Sequence, residues 1–428
     1  MHFENLNLIP QVLDALKDQG YEKPTPIQAQ AIPHLLQGRD LFGSAQTGTG
    51  KTAAFSIPIL QLLSNKNQNG HRSIRALVLA PTRELAVQIS ESLRVYGRHL
   101  QLRHTVVYGG VPQRQQTEAL RRGVDILVAT PGRLLDLIEQ GYIRLNSVEI
   151  LVLDEADRML DMGFINDIRK VIAMLPQKRQ TVLFSATLPQ EIRSLMAKSL
   201  HDPVHIELSQ PNSSAENVEH SMYFVDRLHK RDLLEHVLNS ADVQSALVFT
   251  RTKHGADKLA IALSKSGIRT EAIHGNKSQG ARQRALNEFK RKKVRVLIAT
   301  DVASRGIDVD DLSHVINFDL PETPEVYVHR IGRTGRAGAK GIALSFCGRD
   351  EMHLLRDIHK LLRTTIPVIV EHPYATQQPV KPAQTERRLD ERRPQSFSGN
   401  KFRSQFRRKR DNSGSFRENS NRRFERNS

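Results

Sequence analysis

The segment DLFGSAQTGTGKT, residues 40–52, carries the clearest information about the fold in this chain. A short apolar run leads into a glycine-rich loop, and an apolar helical pattern follows. That order is the strand–loop–helix context of a Walker A phosphate loop. Glycine lets backbone N–H groups approach phosphate oxygens, and the amino terminus of the helix adds partial positive charge. The segment therefore predicts a nucleotide-phosphate site in an α/β fold.

The loop itself consists of Ala45, Gln46, Thr47, Gly48, Thr49, Gly50, Lys51 and Thr52. We expect the Lys51 amine to reach the β- and γ-phosphates and the Thr52 hydroxyl to bind Mg²⁺. Ala45 stands where the usual pattern has its first glycine. A G-x-G-x-x-A match to a dinucleotide fingerprint is weak, because the acid that this motif needs about 20 residues later is replaced by Arg72 and Arg75. NAD is therefore not an expected ligand.

A second apolar run, ILVL at residues 150–153, ends in the carboxylates Asp154 and Glu155. An acid at the end of a buried strand, about 100 residues after the phosphate loop, is the Walker B arrangement. We expect Asp154 to hold Mg²⁺ through its waters and Glu155 to orient and deprotonate the attacking water. An acid-rich helix amino terminus is the alternative interpretation, and the upstream phosphate loop disfavours it.

Short apolar strands and amphipathic helices alternate through most of the chain. The pattern predicts strands at 75–80, 125–129, 149–153, 181–184, 245–250, 294–299, 314–318 and 341–346, and helices such as 84–100 and 255–265. Continuous Val, Ile and Leu runs are typical of parallel strands covered on both faces. The polar segment SQPNSSAEN, residues 209–217, lacks periodicity and predicts a linker. We therefore expect two doubly wound α/β domains with parallel sheets.

The charge of the chain is concentrated in its last residues. The sequence has 63 Lys and Arg against 46 Asp and Glu, a formal net charge of +17, and residues 381–428 hold 15 of these cations with six acids. This segment has too few apolar side chains to offset the entropy of ordering, so we predict a disordered tail at 376–428. Arginine neutralises phosphates and phenylalanine stacks on unpaired bases, which predicts binding of RNA or another polyanion. The alternative is a solvated tail that only aids solubility. The phenylalanines are Phe397, Phe402, Phe406, Phe416 and Phe424.

Composition also excludes several classes of protein. The hydrophobic fraction of 39% supplies a sizeable core, which rules out collagen and disorder of the whole chain. Cys347 is the single cysteine, so a disulfide framework is excluded and a reducing compartment is expected. The first residues lack the pattern of a signal peptide, and the apolar runs are far shorter than the ~20 residues that cross a bilayer. We expect a cytoplasmic protein without a membrane segment.

With the letters DEAD at 154–157 and a phosphate loop upstream, the chain resembles the DEAD-box family of ATP-dependent RNA helicases. The resemblance covers residues 1–375 and implies two tandem RecA-like domains, with ATP in the cleft between them and RNA across both. It divides the chain into a Q-motif segment (1–30), domain 1 (31–208), the linker (209–217), domain 2 (218–375) and the tail (376–428). HGNKSQGAR at 274–282 further resembles the bacterial RhlE group, whose members act around ribosome assembly, RNA decay and cold growth.

The stretch GYEKPTPIQ, residues 20–28, resembles the Q motif of this family. By that resemblance Gln28 reads the adenine edge and Tyr21 stacks on the base. Phe3 matches the isolated aromatic that lies upstream of the motif. Simple packing is the alternative for Tyr21 and Phe3.

The resemblance also implies an RNA face made of residues at strand ends. In the first domain these are Pro81, Thr82, Arg83, Gly110, Thr130, Pro131, Gly132 and Arg133, and in the second domain Arg251, Thr300 and Arg305. Gln279 and Arg282, in a Q-x-x-R motif, would support the RNA contact. Hydroxyls, backbone N–H groups and arginines suit phosphate and sugar contacts that carry no sequence information. Sequence-independent binding is therefore expected.

Two further segments resemble motifs that couple nucleotide state to domain closure. The hydroxyls of Ser185 and Thr187 would bond the DEAD segment that includes Asp157, although a plain helix cap is the alternative. The segment HRIGRTGR, residues 329–336, would face the first domain. By resemblance Arg333 and Arg336 are arginine fingers, which can supply ~10³–10⁵ in rate. His329 would couple to the DEAD segment, Arg330 would take part in interdomain coupling, and Asp308 would face the ribose of ATP.

These expectations combine into one leading function with two alternatives. We expect ATP and RNA together to close the two domains and so to open short RNA duplexes locally, regardless of sequence. RNA-stimulated hydrolysis of ATP, with Mg²⁺, would then reopen the cleft. Structured or duplex RNA is the expected partner, and ribosomal or degradosome-type proteins are candidates. The first alternative is an ATP-gated RNA clamp or annealing chaperone that rarely unwinds. The second is a DNA helicase, because no residue by itself indicates recognition of the 2′-hydroxyl.

Overall fold

A computed structural model of the protein describes residues 2–44, 48–64, 72–207, 218–240, 242–301, 312–335 and 341–375. The predicted linker at 209–217 and the predicted tail at 376–428 lie outside these residues. Within them, strands and helices alternate along the chain and build two parallel sheets.

The first domain is built on a seven-stranded sheet of order β3-β4-β2-β5-β6-β1-β7. Its strands are β1 (Leu41–Ser44), β2 (Ala76–Leu79), β3 (His104–Val107), β4 (Ile126–Ala129), β5 (Ile150–Leu153), β6 (Gln180–Ser185) and β7 (Val204–Glu207). Its helices are α1 (Pro10–Lys17), α2 (Pro26–Leu36), α3 (Lys51–Ser64), α4 (Arg83–Tyr96), α5 (Arg114–Arg121), α6 (Pro131–Glu139), α7 (Ala156–Asp161), α8 (Ile165–Ala173) and α9 (Gln190–Ser199). A 3₁₀ helix covers Phe3–Leu6.

The second domain is built on a six-stranded sheet of order β10-β11-β9-β12-β13-β8. Its strands are β8 (Val218–Phe224), β9 (Ala246–Phe249), β10 (Thr270–Ile273), β11 (Val296–Ala299), β12 (His314–Asn317) and β13 (Gly341–Cys347). Its helices are α10 (Lys230–Leu238), α11 (Lys253–Lys265), α12 (Gln279–Lys290), α13 (Pro324–Ile331) and α14 (Met352–Leu362), with 3₁₀ helices at Arg227–His229 and Arg349–Glu351. Both sheets belong to one compact unit of the chain.

Helices cover both faces of each sheet, which explains why the central strands are apolar at every position. The residues of β2, β4 and β5 are all buried, and their side chains alternate between two separate apolar clusters. Val78 contributes to one cluster, and its neighbour Leu79 contributes to the other. This two-sided burial confirms the prediction of a doubly wound α/β fold with parallel sheets.

The eight predicted strands are all present, with ends that differ by at most two residues. The prediction did not include β3, β7, β8 and β10, which lie at or beside sheet edges. Their burial patterns mix exposed or half-buried positions with buried ones. A continuous apolar run is absent there, because an edge strand is covered less completely than a central strand.

Parallel strands bring their carboxyl ends to one edge of each sheet. In the first domain, the phosphate loop follows β1, the DEAD segment follows β5, and Ser185 is the last residue of β6. These three strands are adjacent in the order β5-β6-β1, so the fold collects their loops at one place. Among the described residues, none of the helices combines the length and apolar character that a bilayer span requires.

Candidate active site

The phosphate loop ends in two glycines with left-handed backbone angles, Gly48 at φ 87° and Gly50 at φ 95°. Helix α3 then begins at Lys51, whose side chain is buried although it carries a charge. Thr52 is the next residue of the same helical turn and is half-buried. The site thus combines a helix amino terminus with a buried ammonium group, an arrangement that attracts phosphate. Residues 45–47 of the loop lie outside the described residues.

Gln28 ties the Q-motif segment to this loop. Its Nε2 donates to the carbonyl of Gly50 at 3.1 Å, and its Oε1 accepts from the backbone N–H of Thr25 at 3.0 Å. A Cβ placed on Gly50 would lie 2.5 Å from Gln28 Nε2. The close approach of the Gln28 side chain therefore favours glycine at position 50. An amide has two N–H donors and two acceptor lone pairs, which leaves one of each for a ligand.

The two aromatic residues of the N-terminal segment differ in exposure. Phe3 is buried in the apolar cluster of the first domain, so packing is sufficient to explain it. Tyr21 is 42% exposed, and its ring lies against the ring of Tyr96 with 6.1 Å between centroids. Only Tyr21 therefore offers a surface to a ligand.

Asp154 is a buried carboxylate at the end of β5. Its Oδ1 atom has no hydrogen-bond donor among the described residues. Burial raises the pKa of Asp154 to about 6, the charge of Lys51 acts in the opposite direction, and the charge of Glu155 adds to the increase. An unsatisfied buried carboxylate oxygen of this kind fits a cation.

The described residues contain no group of three or more His, Cys, Asp or Glu that could hold a metal by itself. Mg²⁺ commonly uses one or two protein ligands and completes its shell with water and substrate phosphates. Asp154 and the Thr52 hydroxyl, beside the phosphate loop, are the donors that fit this mode of binding.

Glu155 takes a left-handed backbone conformation, with φ 55° and ψ 54°, at the turn between β5 and α7. Its Oε2 accepts from Nη1 of Arg158 at 2.7 Å, and both side chains are almost fully buried. We predicted no role for Arg158. The feature of the sequence that could have indicated the pair is an arginine three residues after the carboxylate, on the same helical face.

Asp157 joins the DEAD segment to the end of β6. The backbone N–H of Asp157 donates to Ser185 Oγ at 3.2 Å. Its Oδ2 accepts from the N–H of Ala186 at 3.0 Å, the N–H of Thr187 at 2.9 Å and the Thr187 hydroxyl at 3.1 Å. The Ser185 and Thr187 hydroxyls therefore contact the DEAD segment and do not only cap a helix.

The second domain brings a basic segment to the DEAD helix. A small cleft is lined by residues of both domains: Arg158, Asp161, Phe249, Asp301, Val326, His329, Arg330 and Arg333. Burial lowers the pKa of His329 to about 4; the charges of Arg158 and Arg333 lower it further, while Asp157 and Glu155 act in the opposite direction. His329 is therefore neutral at pH 7, and it lies close enough to the DEAD segment for the charges of Asp157 and Glu155 to act on its ring. Arg333 is 5% exposed.

Arg330 makes its described hydrogen bonds within the second domain. It makes a bidentate pair with Asp301 at 2.6 and 2.8 Å, and Nη1 also donates to Asn317 Oδ1 and to the carbonyl of Asp319. Its guanidinium lies 4.9 Å from the centroid of the Phe249 ring. We predicted that Arg330 takes part in interdomain coupling, and it also lines the cleft between the domains. Its hydrogen bonds anchor the end of α13, which carries His329 and leads to Arg333.

Residues expected at the RNA face of the first domain lie at the starts of two helices. The Thr82 hydroxyl accepts from the N–H of Leu85 at 3.2 Å and caps α4. The Arg83 guanidinium packs against Gly110, which has φ 79° and no room for a side chain. Pro81 is buried beside them.

Thr130 precedes α6 without a capping hydrogen bond from its hydroxyl, Pro131 begins the helix, and both residues are buried. Gly132 is exposed, and a Cβ there would meet nothing within 4 Å. Arg133 pairs with Asp136 at 3.2 Å, and its buried Nη1 atom has no hydrogen-bond partner among the described residues. An open glycine beside an unsatisfied guanidinium leaves room and a donor for an anion.

A buried glutamate links the two domains. Glu84, the second residue of α4, accepts from Gln279 Nε2 at 2.9 Å and pairs with Arg282 Nη2 at 3.0 Å. Glu84 is 3% exposed, and both partners belong to the first turn of α12. We predicted no role for Glu84. We expected Gln279 and Arg282 to support RNA contact, and their described side-chain contacts are to Glu84 of the first domain.

The remaining expected residues of the second domain are only partly described. Arg251 is exposed and donates to Glu351 Oε1 at 3.0 Å, and Thr300 is buried at the end of β11. Arg305, Asp308 and Arg336 lie outside the described residues, as do Ala45, Gln46 and Thr47.

A phosphate loop on one parallel sheet, faced by an arginine-bearing segment from a second parallel sheet, is the architecture of a two-domain RecA-like ATPase. Two family models match the chain: DEAD/DEAH box helicase over residues 25–195, and helicase conserved C-terminal domain over residues 229–338. The DEAD-box ATP-dependent RNA helicase CshA of Bacillus subtilis (strain 168) is 44% identical over 358 residues, which are 84% of this chain and 72% of that protein. The chain belongs to the DEAD-box family of ATP-dependent RNA helicases.

Solved structures agree with this assignment. Saccharomyces cerevisiae Dbp5 bound to RNA and ADP BeF3 matches with a TM-score of 0.77 and 32% identity, covering 86% of this chain and 95% of that one. A DEAD box protein from Methanococcus jannaschii matches with a TM-score of 0.53 and 41% identity, covering 86% and 99%. The protein is thus an ATP-using enzyme that binds RNA. The RhlE group stays a prediction, since the relative reported above is a CshA protein.

Proposed function

We propose that RNA and ATP together hold the two domains closed, and that this closure drives RNA-stimulated hydrolysis and local, sequence-independent opening of short duplexes. The observation that carries the proposal is the packing of His329 and Arg333 from the second domain against the DEAD helix of the first. A segment delivered by another domain can act only while the cleft is closed. Hydrolysis would therefore depend on whatever stabilises closure.

ATP would bind between the phosphate loop and the Q-motif segment. Lys51 and the N–H groups at the start of α3 would hold the phosphates, Gln28 would use its remaining donor and acceptor on the adenine, and the exposed ring of Tyr21 would stack on the base. Residues 45–47 would complete the loop, and Asp308 would face the ribose. The contact between Gln28 and the Gly50 carbonyl supports the proposal, because it joins base recognition to the phosphate loop.

Asp154 and Thr52 would hold Mg²⁺ together with the phosphates. The ion, when bound, neutralises charge that develops on the transferred phosphoryl group. Glu155 would accept the proton of the attacking water, oriented by its bond to Arg158. Arg333 and Arg336 would be the arginine fingers that stabilise the transition state. His329 stays neutral at pH 7, so it would bond the DEAD segment without adding a charge.

Domain closure would be linked to the nucleotide through Asp157. Its four hydrogen bonds to residues 185–187 make the DEAD segment and the end of β6 move as one. Arg330 would contribute to this coupling indirectly, because its hydrogen bonds hold α13 in place.

RNA would lie across both domains along the carboxyl edges of the sheets. In the first domain Pro81, Thr82, Arg83, Gly110, Thr130, Pro131, Gly132 and Arg133 would contact its backbone, and in the second Arg251, Thr300 and Arg305. Helix amino termini and arginines recognise phosphate and sugar without reading bases. The unsatisfied Arg133 Nη1 beside the open Gly132 supports this face.

We also propose a biological setting from the composition and chemistry of the chain. The division into segments 1–30, 31–208, 209–217, 218–375 and 376–428 fits the two sheets and the basic tail. The cytoplasm supplies ATP, RNA and the reducing conditions that a single cysteine suits. Ribosome assembly or RNA decay, with ribosomal or degradosome-type proteins as partners, would use local opening of short duplexes.

Strand displacement of a short labelled RNA duplex tests the proposal directly. We expect displacement with ATP, and none without ATP or with Glu155→Gln, whose amide cannot accept the proton from water. Annealing of the separated strands is measured in parallel, with the full chain and with residues 381–428 deleted. Annealing without ATP-dependent displacement would reject unwinding and favour the clamp or annealing chaperone.

A further inference from the structure

A shallow groove runs along helix α12, away from the domain interface. Three cations line it, Arg284, Arg291 and Lys293, together with Gly280 near the start of the helix. Two amides and one acid, Glu288, complete the lining. None of these residues belongs to the proposed nucleotide site or to the proposed RNA face.

The positive charge of this groove is concentrated and exposed. Arg284, Arg291 and Lys293 are exposed, and so are the neighbouring Lys290 and Lys292. Within the described parts of the chain, no carboxylate forms an ion pair with any of the five. Lys292 has φ 58°, a conformation that favours glycine over a lysine side chain. The groove and the end of α12 therefore carry five exposed cations.

The position of α12 connects the groove to the domain interface. The first turn of the helix contacts Glu84 through Gln279 and Arg282, next to the proposed RNA face. The helix has 12 residues and ends before β11, so the groove leads about 18 Å toward the opposite edge of the sheet. That length spans several successive phosphates of a nucleic-acid strand.

We propose that this groove binds a segment of RNA that flanks the segment held in the helicase site. Arg284 and Arg291 lie two helical turns apart on one face of α12, which places their guanidinium groups along a phosphate backbone and not around one compact anion. Nucleic acid is favoured over an acidic protein segment because the groove starts beside the RNA face of a protein that binds RNA. The contact extends the proposed function, since it would tether a duplex arm while the adjacent strand is opened.

The test compares two RNAs and two variants of the full-length chain. One RNA is a short single strand that fills only the helicase site, and the other carries the same strand extended by a duplex arm. The variant Arg284→Gln/Arg291→Gln/Lys293→Gln removes the groove cations. The control Arg169→Gln/Lys170→Gln/Lys198→Gln removes three exposed cations from α8 and α9 of the first domain. Thermal unfolding shows whether either variant has lost its fold.

For the extended RNA, we expect the groove variant to lower the slope of log K against log salt by about 2 to 3, because each neutralised phosphate contributes about 0.9. Its affinity for the short RNA and its hydrolysis rate at saturating short RNA stay those of the parent. An unchanged slope with the extended RNA, or an equal change in the control, would overturn the proposal. If the groove variant weakened the binding of the short RNA equally, the proposal would also be overturned. The groove cations would then act only through the overall electrostatic field of the protein.

Discussion

The backbone of Glu155 shows how the site is held under local strain. A left-handed conformation at a residue other than glycine costs about 1–3 kcal/mol and persists only where its surroundings enforce it. The hydrogen bonds of Asp157 to residues 185–187 fix the following turn, and Arg158 holds the Glu155 carboxylate. This turn holds Glu155 against Arg158 and leaves Asp154 within the electrostatic field of Lys51.

Arg158→Gln tests whether the arginine positions Glu155. Without its partner the carboxylate is free to take other rotamers, so we expect the RNA-stimulated kcat to fall by about 100-fold, the loss typical of a small misplacement. KM for ATP should change little, because Arg158 would not contact the phosphates. Arg158→Lys should restore part of kcat, and the exposed Arg169→Gln serves as the control. A parental kcat in folded Arg158→Gln would show that Arg158 has no positioning role.

His329 makes the stability of the closed form depend on pH in a definite direction. Its pKa is lowered from the usual 6.5 to about 4, so the folded protein favours the neutral ring. The stabilising contribution is complete above pH 6.5 and is lost as the pH falls from 6.5 toward 4. His329→Gln, measured by denaturant unfolding across this range, should lose less stability on acidification than the parent. Parallel pH curves for the two proteins would contradict the buried, neutral assignment.

Helices α4 and α12 form the described link between the domains through Glu84. A carboxylate that accepts from an amide and pairs with a buried guanidinium stabilises the contact, and removing its charge leaves Arg282 buried without compensation. Such a contact is worth most when the cleft is closed, because an open cleft returns both groups to water.

Glu84→Gln should therefore weaken closure without touching the nucleotide site. We expect the RNA concentration that half-saturates ATP hydrolysis to rise about tenfold, the effect of one charged hydrogen bond of ~1.5 kcal/mol. Hydrolysis without RNA stays at the parental level. Glu91→Gln, an exposed acid of the same helix, is the control. If the parent and Glu84→Gln showed the same RNA dependence, Glu84 would not contribute to domain closure.

The central strands and the loops after them could be predicted from the sequence, because buried parallel strands are continuously apolar and carry their functional residues at one end. The edge strands β3, β7, β8 and β10 could not, since half-buried positions break the pattern. The Glu84 contact could not be predicted either, because its partners lie 195 and 198 residues away in sequence. Local spacing carries no information on such pairs.

Over the whole chain, positive charge exceeds negative charge, and much of the excess lies in residues 381–428. Up to 15 cations leave when this segment is deleted, so RNA affinity should fall and its salt dependence should flatten. Fluorescence titrations of one RNA at several salt concentrations, with the full chain and the truncated chain, measure the slope of log K against log salt. Equal slopes would show that the tail does not bind RNA.

Steady-state ATP hydrolysis shows whether closure of the two domains depends on RNA. The rate is measured without nucleic acid, with RNA and with DNA of the same sequence, and Lys51→Ala, which should fold but not hydrolyse ATP, provides the blank. We expect a slow basal rate and strong stimulation by RNA but not by DNA, because only RNA and ATP together bring Arg333 to the nucleotide site. Constitutive hydrolysis, or equal stimulation by DNA, would contradict it.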